Sequence, residues 1–299
     1  MRSAGLSDLR NLFVREAGDK LLPPRRKNFN VPGASAAEYR RNVMQNRRGN
    51  LQMLQTALAF QRQSPESAER AVSVLDFGCA FSPIGQVYAL DPQVEPRIQA
   101  YLGVDIDANA IAWCKHISEA RGEFQFRHYD AEHERYYDLP AGSQPDAIRP
   151  AHFGGLWSAL GESRFDIQMS SSVFTHLYLR EFEEFAQMMA KHMNPGGILF
   201  NSVFLMDPSL DLPHSGPSAF SRPDRKFFKC DDDALTADCY IYAAENPRAG
   251  IAFARRAVVD TAARMKDVEL VGFLYGTWRG IQRAPVSPNY QDWIIMRKR

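Results

Sequence analysis

Short apolar runs and helically spaced apolar positions alternate along most of the chain. Val72–Phe77 is an apolar run that ends in a turn, and Tyr101–Ile106, Phe124–Tyr129, Phe165–Met169 and Ile198–Leu205 repeat the pattern. Runs of this length, rich in β-branched and aromatic residues, predict five strands. Between them Ile111, Cys114 and Ile117, then Phe182, Phe185 and Met189, recur at the spacing that places side chains on one face of a helix. Strands alternating with helices predict an α/β fold, a parallel sheet covered by helices on both faces. A further helix near 253–266, a strand over Val268–Trp278 and a last strand over Gln291–Arg297 complete the pattern.

Two stretches break the alternation. Residues 1–65 predict a separate helical cap: Ser35-Ala36-Ala37-Glu38 has the capping-box form, and no proline follows until after Gln61. Residues 206–252 predict an insert. Its part up to 250 holds five prolines, several aromatics and the acidic run Asp231-Asp232-Asp233. A segment this long without periodicity is a lid or a disordered insert, and the aromatics favour a lid. The α/β core is then 66–205, completed by 253–299.

Charge changes the picture only at the N-terminus. The chain of 299 residues carries a net charge of +1, which gives no reason to expect a nucleic-acid partner. Residues 1–50, however, hold eleven Lys and Arg against four Asp and Glu. One reading is a solvated amphipathic helix pair; the other is a basic cap that attracts an anionic acceptor, such as a phosphorylated sugar. The four cysteines (Cys79, Cys114, Cys230, Cys239) form no Cys-x-x-Cys and no zinc spacing, so they read as reduced thiols of a cytoplasmic protein. No signal peptide and no apolar run of membrane-spanning length is evident. Nothing points to a metal, and Asp231–Asp233 reads as a solvated turn.

Candidate chemistry collects at the strand ends. Leu75-Asp76-Phe77-Gly78-Cys79-Ala80-Phe81-Ser82-Pro83 is a glycine turn after a strand, followed by a helix start in which Ser82 caps and Pro83 takes the first position. Such a turn lets a ligand approach the backbone. Asp105 stands at the tip of the second strand, where a carboxylate grips a ribose diol in nucleotide-binding sheets. Asp107 reads as the cap of the helix starting at Ala108. Asp130, at the end of the third strand, is placed to accept from an adenine amino group or is a plain loop residue. His176 follows the fourth strand and is either a general base or a ring packed beneath a helix and bonded to a carbonyl. His133 is the next candidate. Tyr275, Trp278 and Arg279 close the sixth strand, opposite Gln291 and Asp292. There Trp278 is either core packing or part of a sugar-binding wall.

Taken together, these segments resemble the class I S-adenosylmethionine (SAM)-dependent methyltransferases. Val74–Cys79 looks like their first motif, Gly103–Asp107 like their acidic loop, and Met193-Asn194-Pro195-Gly196-Gly197 like the turn before their fifth strand. Ser172-Val173-Phe174-Thr175-His176-Leu177 is similar to a bacterial subgroup often associated with polysaccharide gene clusters, as are Gly276-Thr277-Trp278 and Gln291-Asp292. The resemblance covers roughly residues 70–299. It implies a Rossmann-like seven-stranded, mostly parallel sheet with an antiparallel last strand. It also implies SAM as cofactor, held by Asp76, Gly78, Ala80, Ser82, Asp105, Ile106, Asp130, Ala131, Ser171 and Ser172. The implied reaction is methyl transfer to a small-molecule or glycan acceptor at oxygen, with His176 as catalytic base and Tyr275, Trp278 and Arg279 against the acceptor. The chain departs from the family at Ala80 and Ser82, where glycines are usual. That departure leaves open an inactive SAM-binding regulatory protein. A glycine turn with a later acid also leaves open an NAD-dependent oxidoreductase, although the glycines do not fit Gly-x-Gly-x-x-Gly.

Overall fold

A computed structural model describes residues 49, 51–63, 71–81, 98–118, 122–129, 153–207, 227–230, 236–241, 247–278 and 290–299. The capping box at 35–38, Ser82 and Pro83, Asp130, Ala131, His133, Asp231–Asp233, Arg279, and most of the N-terminal cap and insert lie outside these residues.

Strand β1 (Val72–Phe77) is buried at every position, the pattern of a strand covered on both faces. It lies inside a seven-stranded sheet, with β2 (Ile98–Asp105) and β3 (Phe124–His128) on one side. On the other side follow β4 (Phe165–Ser170) and β5 (Met193–Val203). These five strands are parallel. The last strand, β11 (Asp292–Lys298), runs antiparallel to β5, and β10 (Val268–Leu274) antiparallel to β11. The sheet is therefore Rossmann-like, mostly parallel, with the reversed last strand inserted between β5 and β10. Successive strands leave β1 in opposite directions, so the order reverses between β1 and β4. A crevice forms outside the strand ends at such a point.

Two apolar layers hold the sheet. On one face the helix over 51–61 (α1) packs Met53, Leu54, Ala57 and Leu58 into a cluster with Val74, Tyr101, Ile167, Phe200 and Trp293. Helix α2 (Ala108–Ser118) adds Ile111 and Cys114. On the other face lie α3 (Gly154–Leu160), α4 (Leu179–Lys191) and α5 (Arg255–Arg264). Helix α4 buries Leu179, Phe182, Phe185, Ala186 and Met189, a stripe at three- and four-residue spacing. Phe77, at the tip of β1, meets Phe185 at 4.7 Å, and Phe174, just beyond β4, meets Phe185 at 4.8 Å. These rings tie the end of β1 to the chain leaving β4. At the opposite end, Asp166 accepts the Ser73 backbone amide at 2.8 Å and the Asn194 side-chain Nδ2 at 2.9 Å, pinning the starts of β1, β4 and β5 together.

Several sequence expectations are corrected. Strand β5 begins at Met193, which pairs with Phe165. The ladder resumes only at Ile198, so Asn194–Gly197 bulge out of a strand rather than precede it. The sixth strand ends at Leu274, short of Trp278. The helix expected from 253 begins at Arg255, because 251–254 form a strand instead. That strand, β9 (Ile251–Ala254), belongs to a second sheet made by the insert. Its order is β6 (Leu205–Met206), β9, β8 (Cys239–Ile241), β7 (Phe228–Lys229). Within the described part of 206–252, Cys239 and Ile251 are fully buried with the α4 residues.

Candidate functional site

The crevice at the strand reversal is built from three strand ends. After β1 the backbone turns sharply: the Gly78 and Cys79 amides both donate to the Val104 carbonyl, at 2.9 and 3.1 Å. Gly78 has φ +73°, and a Cβ there would lie 2.3 Å from Val173 Cγ2. The turn after β1 and the chain leaving β4 therefore touch where only glycine fits. Ala80 follows with φ +44°, a left-handed conformation that strains a residue bearing a Cβ. Its amide donates to Asp105 Oδ2 at 2.7 Å, while Asp105 Oδ1 accepts the Asp107 amide at 2.8 Å. One carboxylate thus binds the loop after β1 to the loop after β2. Desolvation raises the Asp105 pKa, and the amides of Asp107 and Ala80 oppose that rise. Ile106, next in the chain, is 42% exposed, an apolar side chain left open beside the carboxylate. Asp107 accepts the Asn109 and Ala110 amides at 2.8 and 3.2 Å, the capping role expected for it.

Asp76 lies beneath this loop rather than on its surface. It is buried, and the Tyr101 hydroxyl of β2 donates to its Oδ2. Desolvation pushes its pKa up to about 7 despite that hydrogen bond, with the nearby Asp105 charge adding to the rise. A carboxyl whose pKa is raised by folding stabilises the fold when protonated. That stability is complete below about pH 4 and is lost as pH rises to about 7. Asp76→Asn, which mimics the protonated carboxyl, is expected to be the more stable protein at pH 8 by about 1–4 kcal/mol, and no more stable at pH 4. Denaturant unfolding at the two pH values measures this difference. Equal stabilities at pH 8 would contradict it.

Beyond β4, Ser171 is half-buried and Ser172 exposed with φ +60°. The Ser172 amide donates to Ser202 Oγ at 2.7 Å and its hydroxyl to Gln291 Oε1 at 3.0 Å. The loop entering β11 is therefore bonded to the loop leaving β4, at the end of the sheet that holds the crevice. Asp292 fixes the next residues: it accepts the amides of Leu205 and Gly276 at 2.9 and 2.8 Å and the Trp278 indole N–H at 2.6 Å. A Cβ at Gly276 would sit 2.2 Å from the Tyr290 carbonyl oxygen, so the chain after β10 lies directly on the chain before β11. The half-buried Trp278 ring stands edge-on to Phe204 at 5.1 Å and to Phe227 at 5.4 Å. Tyr290 meets Phe204 at 6.1 Å. Tyr275 is half-buried against the core.

His176 ends a short 3-10 turn, Phe174–His176. Its Nδ1 lies 2.7 Å from the Arg248 carbonyl oxygen, the carbonyl bond that a packed ring would make. Burial lowers its pKa; the hydrogen bond to the Arg248 carbonyl opposes that fall, and the Arg248 charge adds slightly to it. Arg248 donates to both Glu181 oxygens at 2.9 and 2.8 Å and to the His176 carbonyl at 3.1 Å. Neither Arg248 nor Glu181 was legible as a site residue. Arg248 lies in the aperiodic insert, 72 positions from His176. Tyr101 was missed too, being read only as part of a strand.

No protein-family model matches the chain. Among solved structures it is similar to SAM-bound CalS10, an amino pentose methyltransferase from Micromonospora echinaspora. The TM-score is 0.48 and the identity 11%, over 90% of this chain and all of that one. It is also similar to the N-methyltransferase NodS from Bradyrhizobium japonicum in complex with S-adenosyl-L-homocysteine, with TM-score 0.41, identity 14%, and 92% and 91% of the two chains covered. A third likeness is to the CcbJ methyltransferase from Streptomyces caelestis, with TM-score 0.44, identity 12%, and 85% and 89% covered. Likenesses this remote decide nothing about activity, and the functional reading rests on the chain's own residues.

Proposed function

We propose that this chain is a SAM-dependent methyltransferase acting on a hydroxyl of a small-molecule or glycan acceptor. The observation that carries this reading is Asp105. It stands beside the strand reversal, with one oxygen on the loop after β1, the other on its own loop, and the open side chain of Ile106 next to it. A carboxylate so placed accepts from a ribose diol, and an exposed aliphatic chain beside it suits an adenine face. Asp130, Ala131 and Ser82 belong to the same reading through the family resemblance. Ala80 weighs against tight binding less than its side chain alone suggests, because its backbone already holds the left-handed turn that a glycine would take.

SAM supplies a methyl group on positively charged sulfur, an electrophile that needs no further activation. The protein's share is alignment and the removal of one proton. His176 is assigned the proton, and Trp278, with Phe204, Phe227 and Tyr290 around it, the wall against the acceptor. Tyr275 and Arg279 are assigned to the same wall. An anionic acceptor fits the basic N-terminal stretch, and the insert is proposed to cover the acceptor.

Calorimetric titration with SAM, its demethylated product and NAD tests the assignment. Saturable binding of the first two and no heat with NAD is expected. Binding of NAD alone would replace the reading with that of an oxidoreductase.

A further inference from the structure

We infer that Arg248, clamped by Glu181, is a positioning residue that fixes the tautomer and direction of the His176 ring. The inference rests on the reading of His176 as a base for its catalytic meaning, but not for its physical content. A neutral imidazole carries one proton on one of two nitrogens, and the partner of one nitrogen decides which. The Arg248 backbone oxygen can only accept, so the Nδ1 that lies 2.7 Å from it must donate. The lone pair is then on Nε2, which is the nitrogen a base would use. Burial disfavours the doubly protonated ring and outweighs the bond to the Arg248 carbonyl, which favours it, so what that carbonyl selects is one of the two neutral tautomers.

What holds that carbonyl in place is reciprocal. The Arg248 backbone accepts from the His176 ring, and the Arg248 side chain donates back to the His176 carbonyl at 3.1 Å. Two residues distant in sequence are thus joined by a closed pair of hydrogen bonds. The guanidinium is in turn gripped by both oxygens of Glu181, in the first turn of α4, and lies 4.8 Å over the Tyr178 ring. Glu181 Oε2 also accepts the Tyr178 amide at 2.8 Å, so the acid is itself immobile.

The pair is largely desolvated, with side-chain exposures of 17% and 1%. A buried ion pair is a poor source of stability, since apolar residues of similar volume often serve as well. What the ion pair adds is direction: a planar, bidentate fork holds the short 247–249 turn at one angle beneath the ring. The insert thereby supplies part of the site, and the second sheet is what brings Arg248 there.

Nitrogen-15 NMR of the His176 ring tests this without any assay of turnover. The signals are assigned by their loss in His176→Gln. In the parent protein Nδ1 is expected to carry the proton and Nε2 to be unprotonated near neutral pH. In Arg248→Met the ratio of the two tautomers is expected to fall about tenfold, the worth of one well-made hydrogen bond. Arg248→Met removes the positive charge that faces the buried Glu181 and risks unfolding. The double variant Glu181→Gln/Arg248→Met removes both charges and keeps the test open. An Nε2 that stays unprotonated to the same extent in both folded variants would overturn the inference. A tautomer shift in these variants, together with full turnover in His176→Ala, would uphold the positioning and refute only the base.

Discussion

Replacing His176 with alanine is expected to lower turnover by about 10²–10⁴-fold, the usual worth of a general base, and to leave SAM affinity within about twofold. On the proposed reading, the acceptor hydroxyl would have to lose its proton during or after methyl transfer, and His176 would take it. His176 suits the task because burial lowers its pKa, outweighing the hydrogen bond to the Arg248 carbonyl that raises it. It is therefore unprotonated throughout the neutral range, and the acidic limb of the rate profile is expected below pH 6.5, the ordinary value for the side chain. In His176→Ala that limb should disappear along with the rate. Retention of more than about a third of parental turnover would contradict the role, because so small a loss is far below that of a proton acceptor. Catalysis would then rest on proximity and orientation alone.

The legible parts of the fold are those where burial leaves a mark on several consecutive residues. Strands β1 and β4 are buried at every position, and Val72, Val74, Leu75 and Phe77, like Phe165, Ile167 and Met169, mark them as short runs rich in apolar residues even though Ser73, Asp76, Asp166 and Gln168 are buried among them. Helix α4 shows because Phe182, Phe185 and Met189 recur along one stripe. The second sheet was not legible because its strands are two to four residues long, too short for any period to emerge. Helix α3 escaped for the same reason: seven residues opening on two glycines carry little propensity. At the candidate site, Asp105, Gly78 and Ser172 stood out because each lies at or just beyond a strand end. Arg248 could not, since what brings it to His176 is the pairing of β9 with β8 and β6, a tertiary fact without a local signature. Asp76 illustrates a subtler limit. Its position in the motif was plain, but its contact with Tyr101 depends on which face each residue takes, and only strand register settles that.

Asp105→Ala is expected to weaken SAM binding by about 2–4 kcal/mol, roughly thirty-fold to nearly a thousandfold in Kd. Two losses contribute. The proposed contact with the ribose diol is made to a charged acceptor, where one hydrogen bond is worth about 1.5–3 kcal/mol net of the bonds exchanged with water. The second loss is internal: the Ala80 and Asp107 amides, bonded at 2.7 and 2.8 Å, lose their common acceptor. The loop after β1 would then be freed just where Ala80 is already strained at φ +44°. The two can be separated by adding Ala80→Gly to the alanine variant. Glycine takes a left-handed turn without strain, so the turn should form more readily without the Asp105 bond. If loop release dominates, the double variant should regain most of the affinity. If ribose contact dominates, the double variant should bind as weakly as Asp105→Ala. An unchanged Kd in the folded single variant would remove Asp105 from the binding site and, with it, the observation on which the methyltransferase reading rests.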